Sequence, residues 1–304
     1  MKPIYIALIM VFFAGSIFAQ NQNVGINDNG SSPNASAMLD VSSTTKGFLP
    51  PRMTTAQRNT ITSPAEGLVI YNTEEKTLNI FNGTAWSLIN PVVCGQSFTD
   101  LRDGKVYPTV QIGSQCWMTK NLNIGTKVTG LTEPANNSTI GKYCFNDDEA
   151  YCNIYGGLYN WAEMVQYLNG ATNTTSWSPV PTGNVQGICP TGWHIPTDAE
   201  WTTLTTYLGG ENGAGGKLKE TSTTHWNSPN TGATNESGFT SVPAGNRYYD
   251  GSFFSLGLNG YWWSSTENDP SNSWGRSMYF YDSDVSRNYF GKYYGFSVRC
   301  LQNF

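Results

Sequence analysis

The sequence predicts an α+β protein in two parts: a β-rich segment over residues 20–90 and a disulfide-tied domain over 94–304. Three observations carry this. Residues 156–170 and 197–210 have helical spacing of their apolar side chains. The runs GFTSVPAG, GYWWSSTE, SWGRSMYFY and GKYYGFSVRC are short, aromatic and separated by Gly- and Asn-rich turns, which favours antiparallel strands over βαβ units. Six cysteines follow an export-type opening, and an even count in an oxidising compartment reads as three bonds.

The opening comes first. Lys2 precedes an apolar run from Ile4 to Phe13, and Ala14-Gly15-Ser16-Ile17-Phe18-Ala19 supplies a small residue at the cut. This is the pattern of a cleavable signal peptide over 1–19. The run falls short of the ~20 apolar residues that span a bilayer, and no later segment has that length. Export places the mature chain outside the cell, secreted or at the surface.

In the segment 20–90, Thr54 and Gln57 have capping-box spacing and predict a short helical turn after Pro50-Pro51. GLVIYN (67–72), TLNIFN (77–82) and TAWSLI (84–89) then predict a three-strand meander, with Asn82-Gly83 as a hairpin turn. Few large apolar residues are available here, so self-association is expected to help this segment hold its shape.

In the domain 94–304, DGKVYPTVQIGSQCWMTKNL (103–122) reads as two short strands around Gly113-Ser114. GGLYNWAEMVQYLNG (156–170) predicts a helix with Leu158, Trp161, Val165 and Leu168 on one face. TDAEWTTLTTYLGG (197–210) predicts a second, with Thr197 and Glu200 as a capping box, Asp198 favoured by the helix dipole, and Trp201, Leu204 and Leu208 as the buried stripe.

Composition excludes some functions. A net charge of −5 with no Lys/Arg cluster argues against a nucleic-acid partner. There is no G-x-S-x-G, H-E-x-x-H, P-loop or G-x-G-x-x-G motif. No C-x-x-C pair occurs, and His194 and His225 are far apart in sequence, which disfavours zinc. Among the cysteines, Cys144 and Cys152 are close enough to staple one loop. Six cysteines allow 15 pairings; Cys189 with Cys300 could tie the middle of the second half to its end, which would leave Cys94 with Cys116.

The pieces DGKVYPTVQIGSQCWMTKNL, YGGLYNWAEM, GICPTGWHIPTDAEW, ATNESGFT, GYWWSSTE and GFSVRC, in this order, resemble the Fibrobacter succinogenes major paralogous domain over about 95–302. That resemblance implies a C-type-lectin-like fold: two helices flanking a small antiparallel sheet, with long disulfide-tied loops. It also implies a bridge from the second helix region to the last strand, in support of Cys189–Cys300. The stretch from NVGINDNG to NIFNGTAW resembles N-terminal segments of adhesin-like and tail-fibre-like proteins, which implies a stalk and a homotrimer.

Candidate sites follow from clustered oxygen ligands and aromatic faces. CFNDDEAYC sets Asp147, Asp148 and Glu149 inside a small disulfide loop, a candidate calcium site because hard cations take oxygen ligands. STENDPSNSWGR crowds Glu267, Asn268, Asp269 and Asn272 before Trp274. It has the residue types of a lectin sugar loop in a different order, and no Trp-Asn-Asp follows. Trp262 and Trp263 are neighbours on one strand and point to opposite faces, so one of them, Trp263, is a candidate sugar-stacking residue. Tyr248, Tyr249, Tyr293 and Tyr294 raise the same question. His194 beside Asp198 is a candidate general base, against a structural reading in which the acids start a helix. The expectation is a secreted or cell-surface adhesion protein that binds a glycan or a surface protein, without catalysis. The alternatives are a structural component of a surface fibre or layer, and an enzyme acting on polysaccharide.

Overall fold

The computed structural model describes residues 23–88 and 93–303. The expected signal peptide lies outside the described residues. By contacts the chain divides into Met1–Pro51 and Arg52–Phe304. In the first unit, strands Val24–Asn27 and Leu39–Ser42 pair in parallel, with Val24 opposite Leu39. Val24, Ile26, Met38, Leu39 and Val41 of this small pair are exposed.

The second unit opens with a four-stranded sheet in the order Arg52–Met53, Val69–Asn72, Thr77–Phe81, Trp86–Leu88. The last three form the expected meander. Helix α1 (Thr55–Asn59) starts at the expected capping box, with Thr54 accepting from Gln57 N and Gln57 answering the Thr54 N–H. Ile70 is the single large apolar side chain that is fully buried among the described residues 52–88.

The rest is built on two larger sheets. One has four strands, ordered Trp193–His194, Leu301–Gln302, Gln115–Met118, Thr109–Ile112. The other has seven: Thr126–Val128, Gly141–Tyr143, Leu158–Tyr159, Phe296–Ser297, Asn259–Asp269, Asn272–Tyr279 and Ser286–Gly291. It is mixed, since Thr126–Val128 runs parallel to its neighbour and Trp262 pairs in parallel with Ser297.

This corrects the expected fold class. The protein is 14% helical and 29% strand in several sheets, and the described residues show no two-helix C-type-lectin-like arrangement. The helix expected over 156–170 fails for a local reason. Leu158–Tyr159 is a strand paired with Phe296–Ser297, so only α3 (Trp161–Met164) remains, capped by Asn160. Gln166, Tyr167 and Asn169 then take left-handed backbone, which no helix continues through. Two other helices, α2 (Glu149–Tyr155) and α5 (Glu211–Leu218), were not expected. The second expected helix forms as α4 (Asp198–Tyr207), with Thr197 and Glu200 closing the capping box.

Trp262 and Trp263 show why the core needs both faces of the long strand. Trp263 joins Trp161, Trp193 and Phe296 on one side; Trp262 joins Trp117, Trp201 and Trp226 on the other. Four of these buried indole N–H groups find acceptors across the core: Trp161 donates to Ser264 O, Trp201 to Trp263 O, Trp262 to Asn121 Oδ1 and Trp263 to Tyr159 O. The disulfides are Cys94–Cys116, Cys144–Cys152 and Cys189–Cys300. The last closes a separation of 111 residues, which the chain-entropy model values at about 4.7 kcal/mol.

Candidate functional site

Each expected site residue has a place in this frame. Asp147, Asp148 and Glu149 do not converge. Asp147 Oδ1 accepts from Gly130 N at 2.7 Å, Asp148 caps α2 through Ala150 N at 2.9 Å, and Glu149 pairs with buried Lys142 at 2.7 Å. Glu149 does lie close to Cys144 and Cys152, but those sulfurs are joined to each other and offer no thiolate to a metal.

Residues 265–274, expected as a loop, are mostly strand: the first long strand runs to Asp269, the next begins at Asn272, and between them lies the turn at Pro270-Ser271. Asp269 closes it, accepting from Ser271 N and Asn272 N at 2.9 Å each and from the Asn272 and Asn268 side chains. Hydrogen bonds from Asn272 and Ser271 hold its carboxyl below the usual range. Glu267 is held at 2.6 Å by Lys292, whose side chain is fully buried. Glu267, Asn268 and Asp269 share a cavity of about 330 Å³ with Trp177 and Pro181. Trp274 is not part of it: its face is covered by the Arg287 guanidinium at 3.8 Å. Trp263 is not part of it either. It is 1% exposed and packed 4.4 Å from Phe296, so it offers no face to a sugar. Stacking on Trp263 is therefore corrected, because both faces of its strand are covered.

His194 is likewise buried, at 2% exposure. Its Nε2 meets Glu200 Oε1 at 3.0 Å and its Nδ1 meets Asn303 Oδ1 at 2.6 Å. Asp198 turns away from it to bind Arg276 and Arg287. No base–acid pair faces solvent here, and the stretch around 194 is scaffold.

The aromatic face that the sequence left unassigned lies elsewhere. Tyr248 and Tyr294 lie 5.0 Å apart, with Tyr249 and Phe254 packed against Tyr248 at 4.4 and 5.8 Å. Behind them Tyr261 stacks on Phe296 at 4.9 Å and meets Phe290 edge-on. Together with Asn246 these rings, Tyr249 excepted, line a cavity of about 290 Å³. The strands make it: Asn246–Arg247 pairs with Phe253–Phe254, Arg247 N bonds Gly295 O, and the long hairpin brings Tyr261 and Phe290 alongside. Asn246 is 8% exposed, and its carboxamide has no partner among the described residues. Burial, reinforced by the Tyr248 hydroxyl, pushes the Tyr294 phenol up to about 12, so it is a neutral hydroxyl at physiological pH. Phe254 of the lining is exposed, as are Tyr249 and Tyr293 outside it. The cavity is thus apolar ring faces with one free amide and neutral phenols, suited to binding rather than proton transfer.

Residues 110–302 match the model of the Fibrobacter succinogenes major domain. The chain belongs to this family. Residues 25–101 match a phage tail like trimerisation region. No curated protein and no solved structure matches the chain. Membership in the Fibrobacter succinogenes major domain family and three disulfides mark an extracellular or surface protein. The trimerisation region suggests trimers, and Val24, Ile26, Leu39 and Val41 are the kind of exposed apolar residues that a trimer covers. No helix among the described residues is long and apolar enough to cross a membrane.

Tyr248, Tyr249, Tyr293 and Tyr294 were visible in the sequence as aromatic runs. Asn246, Tyr261, Phe290 and Phe296 were missed as site residues. Their one local signal is the aromatic density of NRYYDGSFF and NYFGKYYGF, and nothing in either run says which rings are core.

Proposed function

We propose that the protein is a surface-displayed binding protein whose C-terminal domain takes a glycan in the aromatic cavity, while the N-terminal region trimerises and multiplies the binding sites. The observation that carries this reading is the pairing of ring faces with one unpartnered amide. Tyr248, Phe254 and Tyr294 give apolar faces to a pyranose ring, and Asn246 gives the directional hydrogen bonds that choose among hydroxyls. No acid lines this cavity, so the reading is binding without turnover. Three linked copies would convert a weak single-site affinity into useful avidity.

The test is a glycan array and a protein array with the disulfide-bonded full chain, in calcium and in chelator. Glycan capture that Tyr248→Ala and Tyr294→Ala abolish, with calcium indifferent, supports the reading. Capture of a protein alone, or of nothing, overturns it.

A second reading has its own observation. The match to a phage tail like trimerisation region fits a structural component of a surface fibre or layer. That reading expects assemblies larger than a trimer and no loss of assembly when Tyr294 is replaced.

A further inference from the structure

Arg299 is a fully buried cation without an ion pair among the described residues. Three arginines have fully buried side chains: Arg247, Arg276 and Arg299. Arg247 is paired with Glu133 at 2.7 Å, and Arg276 with Asp198 at 2.6 Å. Arg299 has no carboxylate. Its donors go to Asn121 Oδ1 at 2.8 and 3.1 Å and to the carbonyls of Met118, Phe239 and Thr240. Burial pulls its guanidinium down to about 9 with no acid opposing the pull, which still leaves it charged at neutral pH. A buried cation served by neutral dipoles alone is costly, and its field reaches far through a low-dielectric interior.

The buried Arg299 side chain borders a cavity. Asn121, Thr119 and Thr240 also line this cavity, of about 410 Å³. The mouth carries Lys105, Lys120 and His225. Lys105 is tied to Asp103, and His225 Nδ1 holds Glu220 Oε2 at 2.8 Å, so the one acid lining the cavity is already engaged. Lys120 is exposed and has no ion pair among the described residues. The Asn153 carboxamide, also in the lining, is exposed and unpartnered among them. The cavity lining therefore carries two cations without an ion pair, Arg299 beneath it and Lys120 at its rim, against one carboxylate, Glu220.

We propose that this cavity binds an organic carboxylate, either a uronic acid unit of an acidic polysaccharide or a free carboxylic acid. The ligand's charge is the missing counter-ion: Lys120 takes it directly at the rim and the field of Arg299 holds it from below. The volume suits a ligand of about one sugar ring. The site is separate from the aromatic cavity and shares no lining residue with it.

The experiment is calorimetric titration of the full disulfide-bonded chain with D-glucuronate, succinate and D-glucose at low salt. At least one of the two acids should bind, and neutral glucose should not. Added sodium chloride should weaken binding, as screening demands. Lys120→Ala, an exposed position that the fold does not need, should lower the affinity roughly fivefold or more, the scale of one lost charge-assisted hydrogen bond. Tyr294→Ala should leave it unchanged. Preference for glucuronate would identify the sugar source, and equal or better binding of succinate the free acid. Failure of both acids to bind at millimolar concentration would overturn the proposal. So would binding of glucose as tightly as glucuronate, or an affinity indifferent to Lys120→Ala.

Discussion

His194 Nε2 lies 3.0 Å from Oε1 of Glu200, and Oε2 of that same carboxylate accepts the Thr197 N–H at 2.7 Å and hydroxyl at 2.9 Å. One acid thus starts α4 and fixes a buried histidine on the neighbouring strand, whose other nitrogen reaches Asn303 near the chain end. Replacing Glu200 removes both contacts at once. Glu200→Ala should cost about 1 kcal/mol for the cap and a further ~1–3 kcal/mol for the buried imidazole left unsatisfied. Urea unfolding with the disulfides intact measures this. A loss below about 0.5 kcal/mol, the scale of an ordinary surface change, would show that the two contacts do not cooperate.

Acid should weaken the fold through the same region. Burial raises the Glu200 carboxyl, but hydrogen bonds from His194 and Thr197 outweigh it and leave the group below its ordinary 4.5. For Asp198, burial is likewise outweighed by Arg287 and Arg276, and the group lies below 3.8. Both are depressed in the folded state, so their stabilisation is present above those ordinary values and is lost as pH falls through the depressed folded ones. Glu163 has the opposite sign: burial raises it, so its ionised form works against the fold at neutral pH. Thermal midpoints from pH 7 down to pH 2 should fall chiefly below about 4.5, and Glu200→Gln should flatten that fall. An unchanged slope in the variant would contradict the assignment.

Asp198 holds two arginines of different kinds. Arg276 is fully buried, whereas the Arg287 side chain is 38% exposed and lies over Trp274. Asp198→Ala strands the buried guanidinium and should cost ~3–5 kcal/mol. Arg287→Ala breaks an exposed pair and a cation–π contact and should cost about 1 kcal/mol or less. Chemical denaturation of the two variants side by side checks the order, and a reversal would mean that Arg276 finds another partner.

The full chain should run as a trimer. Light scattering coupled to size exclusion should give three times the chain mass, and Val24→Asp with Ile26→Asp should reduce it toward one by charging exposed apolar positions of the N-terminal strand pair. A wild-type monomer at micromolar concentration would contradict trimer formation.

Much of the local structure was legible because it rests on neighbours in sequence. The capping boxes at Thr54 and Thr197, the meander after Gly67 and the hairpin around Gly113-Ser114 are short-range, and each forms. The 156–170 stretch misled because its apolar spacing suits a helix while its partner, Phe296–Ser297, lies about 140 residues away. Of the candidate ligand residues, Glu267, Asn268 and Asp269 share a cavity, while Trp263 and Trp274 are covered by Phe296 and Arg287. Burial is a property of what packs on a strand, and residue type alone does not report it.

The sequence by itself determined the family, the cysteines available for bridging and the places where chain direction changes, since motif order, spacing and capping chemistry are local facts. Tertiary structure alone decided which carboxylates are engaged, that both Trp262 and Trp263 are interior, that Tyr248 and Tyr294 line a cavity, and that Arg299 is buried without an acid. Each of these depends on long-range strand pairing, which brings together side chains between 105 and 299 and sets whether a polar group meets water, a partner or neither.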